Sequence, residues 1–312
     1  MGRLILILML TAVSSSAYTG QAVADQLSDA ERAYKSGNYS EAARLFKPLA
    51  EQGNEFAQSR LGLLYYQGQG VPQDYKEALK WFRLPAVYGI AIAQSRLGRM
   101  YEQGQGVPQD YKEALKWYQL AAEQGDAYAQ VELGEIYEQG QGFPQDYKEA
   151  FKWYQLAAEQ GDETAQVKLG VMYDTGEGVP QDYKEEAKWI RRSAEQGFAT
   201  AQGRLGHLYF EGTGVPKDYK EAVKWFRQSA EQGNSDSEYR LGLLYGAGFG
   251  VPQNLVMAHL WVNIAAANSI KSEEQKKYTA WRDVLESQMT SRQIAKAQKL
   301  ARKCTENKFK GC

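Results

Sequence analysis

The stretch GQGVPQDYKEALKWYQLAAEQGD, from Gly104 to Asp126, combines a glycine pair, a proline, an acidic residue and a tryptophan, and most of it recurs along the chain. Its proline is one of six that follow one another every 36 residues, and its tryptophan belongs to a second series with the same interval. A sequence period of roughly 20 to 50 residues indicates a tandem array of repeats. The six predicted repeats are 54–89, 90–125, 126–161, 162–197, 198–233 and 234–269.

Each repeat is predicted to form two helices joined by a short loop. In the first helix of the first repeat the apolar residues follow helical spacing, while Gly62 leaves room for a neighbouring helix. Gly68 and Pro72 are predicted to end this helix, because glycine supplies the positive φ of a helix end and proline cannot continue one. Asp74 and Glu77 predict a capping box at the start of the second helix. The apolar stripes are Ala57, Leu61, Leu64 and Tyr65 in the first helix and Tyr75, Ala78, Leu79, Trp81 and Phe82 in the second.

These residues resemble the Sel1-like repeat family, a relative of the tetratricopeptide repeats. The pattern A-Q-x-x-L-G-x-x-Y-x-x-G-x-G-V-P-x-D-Y-x-x-A-x-x-W, closed by A-A-E-Q-G, recurs almost unbroken over 54–269. Residues 25–53 are predicted to be a partial, degenerate repeat in the same register. The resemblance implies an all-α fold: a right-handed α-solenoid of about sixteen helices, built from 36-residue helix-turn-helix repeats.

The 36-residue period ends after Ser269, and 270–312 is predicted to close the array. Residues 272–289 and 291–304 have the pattern of two capping helices, which a solenoid needs because its last repeat would otherwise expose its stacking surface. Cys304 and Cys312 are predicted to form a disulfide near the chain end, with a free pair as the alternative.

The N-terminal residues have the pattern of an export signal. Arg3 precedes a ten-residue apolar run, Leu4–Val13, which is too short to span a bilayer. Small residues then offer cleavage after Ala17 or after Ala24, and the second site matches the preferred pattern better, so 1–24 is the predicted signal peptide. The mature chain is therefore expected in the periplasm or outside the cell, and not as an integral membrane protein.

The charge of the chain excludes some partners and leaves others open. The formal net charge of -1 argues against a general nucleic-acid binder, since such proteins carry a basic excess. Residues 25–270 hold 25 basic and 33 acidic residues, whereas 271–312 hold 11 basic and 5 acidic ones. The basic end could contact an acidic partner or anionic lipid, or be an ordinary solvated helix face.

No catalytic, cofactor or metal motif is present. The G-x-G of Gly104 and Gly106 follows a helix and lacks the third glycine of a dinucleotide fingerprint. His207 and His259 are the only histidines, and His259 occupies a core position of its repeat. Some relatives are reported as hydrolases acting on cell-wall-type substrates, but their repeats are stapled by disulfides and none of the six repeats here contains a cysteine. The sequence therefore predicts neither an enzyme nor a cofactor.

One face of the first helices varies from repeat to repeat while the framework positions stay constant. By analogy with tetratricopeptide solenoids this face lines the concave side, where exposed aromatic and charged residues are typical of a peptide-binding surface. Neutral surface drift is the alternative. The predicted partner-binding residues are Phe56, Leu63, Tyr66, Ile92, Arg99, Glu102, Tyr128, Glu135, Glu138, Val171, Asp174, His207, Phe210, Tyr239 and Leu243.

The sequence thus favours an exported, monomeric scaffold or adaptor that binds a segment of a partner protein. Two other functions remain open: a cell-wall-directed hydrolase or glycan-binding protein, and a purely structural periplasmic spacer.

Overall fold

The computed structural model describes residues 23–270, 272–307 and 309. These residues form sixteen α-helices and no β-strand, which confirms the all-α prediction. The helices are α1 (23–35), α2 (Tyr39–Glu51), α3 (Glu55–Gln67), α4 (Tyr75–Val87), α5 (Ala91–Gln103), α6 (Tyr111–Glu123), α7 (Ala127–Gln139), α8 (Tyr147–Glu159), α9 (Glu163–Thr175), α10 (Tyr183–Glu195), α11 (Ala199–Glu211), α12 (Tyr219–Ala230), α13 (Ser235–Ala247), α14 (Leu255–Asn268), α15 (Ser272–Ser287) and α16 (Ser291–Glu306).

The chain divides into two compact bodies. The N-terminal body extends to Asp146 and contains α1 to α7, and the C-terminal body starts at Tyr147 and contains α8 to α16. Within each body the two helices of a repeat pack together, as α3 does with α4 and α11 with α12. Each pair also packs on the next, as α4 does on α5 and α12 on α13.

A glycine in the first helix lets the two helices of a repeat approach closely. A Cβ added to Gly98 would lie 2.7 Å from Cδ1 of Tyr118, the residue that follows the repeated tryptophan. Tyr118 is fully buried, whereas Trp117 is only half-buried. Trp117 packs from the outside against the core cluster that contains Phe82 and Leu97. The ring of Tyr118 fills the space next to Gly98.

The second helix of the first repeat buries less than its apolar stripe predicted. Ala78 and Phe82 are buried, but Tyr75, Leu79 and Trp81 are only half-buried.

The loop between the two helices contains two glycines with different tasks. Gly104 ends α5 with φ 66°, as the sequence predicted. Gly106 also has a positive φ, 73°, and a Cβ there would lie 2.6 Å from the carbonyl oxygen of Tyr75. The second glycine thus permits contact with the helix of the preceding repeat.

The predicted N-cap is present, but the reciprocal half of the capping box is not. The Asp74 carboxylate accepts hydrogen bonds from the backbone N–H groups of Lys76 and Glu77, at 2.9 and 3.1 Å. The backbone N–H of Asp74 instead donates to the carbonyl of Tyr65, at 3.0 Å. In a capping box this N–H group would donate to the side chain of Glu77. Because the loop brings Asp74 against the end of the first helix, the N–H group is already bonded to Tyr65.

A buried glutamine in the first helix of five repeats donates to the second helix of the preceding repeat or partial repeat. Nε2 of Gln94 donates to the carbonyl of Ala86, at 3.0 Å, which ties α5 to the preceding helix. Its Oε1 accepts from Nε2 of Gln124, the C-cap residue of α6 in the same repeat, at 2.7 Å. Both polar ends of a buried amide are thereby satisfied, as burial requires.

The predicted capping helices are confirmed as α15 and α16. Thr290 and Gln293 form a complete capping box at the start of α16. Tyr278 and Leu285 of α15 are buried against the last repeat. His259 is fully buried, as expected of a core position, and its Nε2 lies 2.8 Å from Oε1 of Glu286.

Two predictions fall on residues outside the described part of the chain. The signal peptide lies there almost entirely, and so does Cys312, so the disulfide to the buried Cys304 stays a prediction. Within the described residues, no helix is both long and apolar enough to cross a membrane.

Candidate functional site

The predicted partner-binding residues differ widely in exposure. Phe56, Ile92 and Val171 are about two-fifths exposed, at 42%, 42% and 40%. Leu63 and Tyr239 are buried, each with 8% of its surface exposed, so their prediction as exposed contact residues is wrong. The others are half-buried: Tyr66, Arg99, Glu102, Tyr128, Glu135, Glu138, Asp174, His207, Phe210 and Leu243.

Tyr239 is buried because the C-terminal helices cover it. Its ring stacks on that of Tyr278 in α15, with the centroids 4.5 Å apart. The repeat register could not reveal this contact, because α15 lies outside the repeated sequence.

Three predicted residues meet around one apolar cavity in the N-terminal body. This α3–α5 cavity has a volume of about 230 Å³ and is lined by the side chains of both first helices. Phe56, Leu63 and Ile92 were predicted, and Leu63 contributes to the cavity wall although it is buried. The complete lining is Glu55, Phe56, Ser59, Arg60, Leu63, Phe82, Ile90, Ile92 and Arg96.

Arg60 is held at one side of the cavity by a carboxylate and two rings. Its Nε donates to Oε1 of Glu31 at 2.7 Å, and both side chains are largely buried. The guanidinium also lies 4.8 Å from the ring centre of Tyr34 and 5.0 Å from that of Phe56. A cation over an aromatic face is attracted to it, so this arginine is fixed by its neighbours.

Arg96 and Arg99 stack on one aromatic ring instead. Their guanidinium carbons lie 5.4 and 5.8 Å from the ring centre of Tyr128 in α7. The Nε atoms of both arginines are buried and have no hydrogen-bond partner in the described structure. Two cations that form no salt bridge among the described residues therefore lie over one ring, and Arg96 also lines the cavity.

Two carboxylates lie near these arginines: Glu102 near the end of α5 and Glu132 in α7, the first helix of the next repeat. Glu102 accepts a hydrogen bond from the Tyr118 hydroxyl at 3.0 Å, and burial raises its pKa above the ordinary value. Burial also raises the pKa of Glu132 to about 7, against the opposing hydrogen bond to Tyr128, while the charges of Glu102 and Glu135 raise it further and that of Arg99 lowers it. Glu132 therefore keeps part of its proton near neutral pH.

In the C-terminal body the same face carries paired charges. Arg204 pairs with Asp174 at 2.7 Å and also with Glu186, which is fully buried. Nη1 of Arg240 lies 3.2 Å from Nδ1 of His207. Burial lowers the pKa of His207, and the positive charges of Arg240 and Arg204 lower it further. This surface has its charges matched internally.

Sequence reasoning missed one position of the face. In the first repeat this position is Arg60, which lies between the predicted residues Phe56 and Leu63. The equivalent residue is charged in all six repeats and half-buried on the same helix face, and the regular occurrence of a charge there could have been found from the sequence. These residues are Arg60, Arg96, Glu132, Lys168, Arg204 and Arg240.

The Sel1 repeat family model matches residues 28–54, 56–84, 91–126, 127–162, 164–198, 199–234 and 235–269. The chain belongs to the Sel1 repeat family. Its members typically mediate protein–protein interactions. The first match, 28–54, falls where the sequence predicted a partial repeat, so seven repeats are present.

The chain is similar to solved Sel1 repeat structures. It is 36% identical to a Sel1 repeat protein from Oxalobacter formigenes, over 78% of this chain and 99% of that one, with a TM-score of 0.71. A protective antigen of uropathogenic Escherichia coli with an SLR fold is 27% identical, over 87% and 81% of the two chains, with a TM-score of 0.47.

A curated relative shares only a short segment. The putative beta-lactamase HcpE of Helicobacter pylori is 50% identical over 44 residues, which are 14% of this chain and 12% of that protein. The matched segment spans about an eighth of the relative's length. The described residues of this chain contain no group of three or more His, Cys, Asp or Glu side chains that could hold a metal ion.

Proposed function

We propose that this protein is an exported, non-enzymatic scaffold that binds a segment of a partner protein on the first-helix face of its N-terminal body. The observation that carries the proposal is the α3–α5 cavity, where Phe56 and Ile92 remain two-fifths exposed beside an apolar space of about 230 Å³. A cavity of this kind accepts one large apolar side chain, and such anchors supply most of the energy of a protein interface.

The adjoining residues support a peptide rather than a small molecule as the ligand. Tyr66, Tyr128 and Arg99 lie on the same face, and tyrosine and arginine are enriched among residues that dominate binding energy. The family's typical role in protein–protein interactions agrees with this proposal.

A comparative pull-down tests the scaffold function. The wild-type chain, a Phe56→Ser/Ile92→Ser variant and a Leu120→Ser/Leu156→Ser control would each be crosslinked to an envelope extract of the encoding organism. The control also removes two exposed apolar side chains, but from second helices. We expect at least one protein to be captured by wild type and control and lost with the cavity variant. Equal capture by all three would contradict binding at the cavity.

Export has its own test. Expression in a bacterial host followed by cell fractionation and N-terminal sequencing is expected to yield a periplasmic or secreted chain that begins at Asp25 or at Tyr18, the residues after the two predicted cleavage sites. A full-length chain confined to the cytoplasm would contradict it.

A further inference from the structure

We infer that the partner segment joins a large apolar residue to a neighbouring acidic residue, whose carboxylate binds Arg96 and Arg99 while the apolar side chain fills the α3–α5 cavity. This inference rests on the proposed function and adds the chemistry of the segment. It concerns an acidic peptide segment and no other class of macromolecule.

The first argument is that Arg96 and Arg99 lack the carboxylates that neighbouring arginines have. Three arginines of the same helix face make salt bridges: Arg60 with Glu31 at 2.7 Å, Arg204 with Asp174 at 2.7 Å, and Arg240 with Asp236 at 2.6 Å. Arg96 and Arg99 make none among the described residues, and the Nε atom of each is buried without a hydrogen-bond partner.

The second argument concerns geometry. The guanidinium carbons of Arg96 and Arg99 lie 5.4 and 5.8 Å from the ring centre of Tyr128, a cation–π contact that uses no N–H donor. The Nε–H groups are buried, so a ligand would bind the terminal amino groups, and a carboxylate can accept two hydrogen bonds from such groups at once. One ring thus positions both arginines, and neither forms a salt bridge among the described residues.

The third argument is that the nearby carboxylates Glu102 and Glu132 attract Arg99 but neutralise its charge only in part. Glu102 is engaged by the Tyr118 hydroxyl. The pKa of Glu132 is raised to about 7, chiefly by burial, so at neutral pH this group is only partly ionised. Removing the Glu132 charge should therefore strengthen, not weaken, the attraction for an acidic ligand.

Arg96 connects the arginine pair to the cavity, so one partner segment has to supply both the acidic and the apolar residue. Arg96 belongs to the cavity lining together with Ile92, one helical turn away on α5. A carboxylate that reaches Arg96 therefore lies beside the cavity, so the apolar and the acidic residue must be neighbours in the partner.

Selection from a displayed library of random peptides tests the inference. Wild type, Arg96→Gln/Arg99→Gln and a Lys76→Gln/Arg83→Gln control, which removes two exposed charges from α4, would be used as baits. Far-ultraviolet circular dichroism and thermal melting would establish that all three fold alike. The peptide most enriched by wild type would then be titrated beside its Asp→Asn or Glu→Gln analogue.

We expect wild type and control to enrich an aromatic or large aliphatic residue next to Asp or Glu, and to bind the acidic peptide about tenfold more tightly than its amide analogue. The arginine variant should bind the two equally, and Glu132→Gln should bind the acidic peptide more tightly than wild type does. Enrichment of apolar residues without an acid, or an acid preference that survives in the arginine variant, would overturn the inference but not the proposed cavity. Failure to enrich any peptide would overturn both.

Discussion

At the scale of the residue, the sixth repeat contains one substitution with a physical consequence. The buried glutamine of five repeats is replaced by Glu238, which is fully buried. Its Oε1 accepts a hydrogen bond from Nδ2 of Asn268 at 2.8 Å, but its Oε2 has no partner among the described residues. In Gln202 the corresponding atom is an N–H donor to the carbonyl of Ala194. A carboxyl group can make that donation only when it is protonated.

This substitution predicts a pH-dependent stability. Burial raises the pKa of Glu238 from 4.5 in the unfolded chain to about 7, so the folded state holds its proton more tightly. The folded chain should therefore lose stability as the pH rises from 4.5 through 7, and the loss should be complete above 7. We expect Glu238→Gln to stabilise the C-terminal body by about 2 kcal/mol at pH 8 and hardly at all at pH 4.5.

Urea denaturation at several pH values measures this effect. The exposed Glu231 offers a control, since Glu231→Gln removes the same charge from the same body. An equal gain for Glu238→Gln at both ends of the pH range would count against a protonated, buried carboxyl group.

At the scale of the element, close packing of the two helices of a repeat depends on the glycine of the Leu-Gly pair. A Cβ added at Gly98 would clash with the Tyr118 ring, at 2.7 Å. A Cβ added at Gly246, in α13, would lie 3.7 Å from Cβ of Ala258, which is an ordinary van der Waals distance. The same glycine-to-alanine change thus meets different surroundings in two helices of one chain.

We expect the two substitutions to act in opposite directions. Gly98→Ala should destabilise the N-terminal body by about 1 to 3 kcal/mol, because overpacking outweighs the better helix propensity of alanine. Gly246→Ala should be neutral or stabilise by up to about 1 kcal/mol. The free energy of unfolding from urea titration checks both, and a similar sign for the two would refute the packing argument.

Local sequence predicts where the helices start and end, but it does not predict contacts between repeats. Asp110 and Gly104 cap their helices as predicted, because the groups involved are a few residues apart. The contact of Gly106 with Tyr75 was not predicted, although the repeat register contains the glycine. The contact joins residues from different repeats, and the local sequence around Gly106 does not predict which part of the backbone will lie against this glycine.

At the scale of the whole molecule, a repeat array distributes its stability among neighbours. Each repeat contacts the adjacent ones, so a lost contact should weaken its surroundings and leave distant repeats unchanged. The C-terminal cap offers a direct test, because Tyr278 of α15 is almost fully buried and stacks on Tyr239 of the last repeat.

We expect Tyr278→Ala to lower stability by about 3 kcal/mol and to speed amide hydrogen exchange in α13 to α16. Exchange in α3 to α5 should stay as in wild type. Mass-spectrometric hydrogen exchange measures both regions at once, with the exposed Lys276→Ala as the control. Faster exchange throughout the chain would mean that the two bodies unfold as one cooperative unit.

The amino-acid sequence by itself determined the all-α class, the 36-residue period, the residues that end the first helices and the two closing helices. These follow from the spacing of glycine, proline and apolar residues over a few turns, and the 36-residue period repeats that spacing six times. The position of the face was likewise accessible, since helical spacing places Phe56, Leu63 and Tyr66 on one side of α3.

Only the tertiary structure decided which residues of that face are exposed and which charges on it are paired. Tyr239 is covered by α15, Arg204 is paired with Asp174, and Arg96 and Arg99 lie over the ring of Tyr128 without a salt bridge among the described residues. The reason is physical: exposure and charge pairing depend on the side chains that neighbouring repeats and the cap bring opposite each position, whereas the period specifies only where a position lies on its own helix.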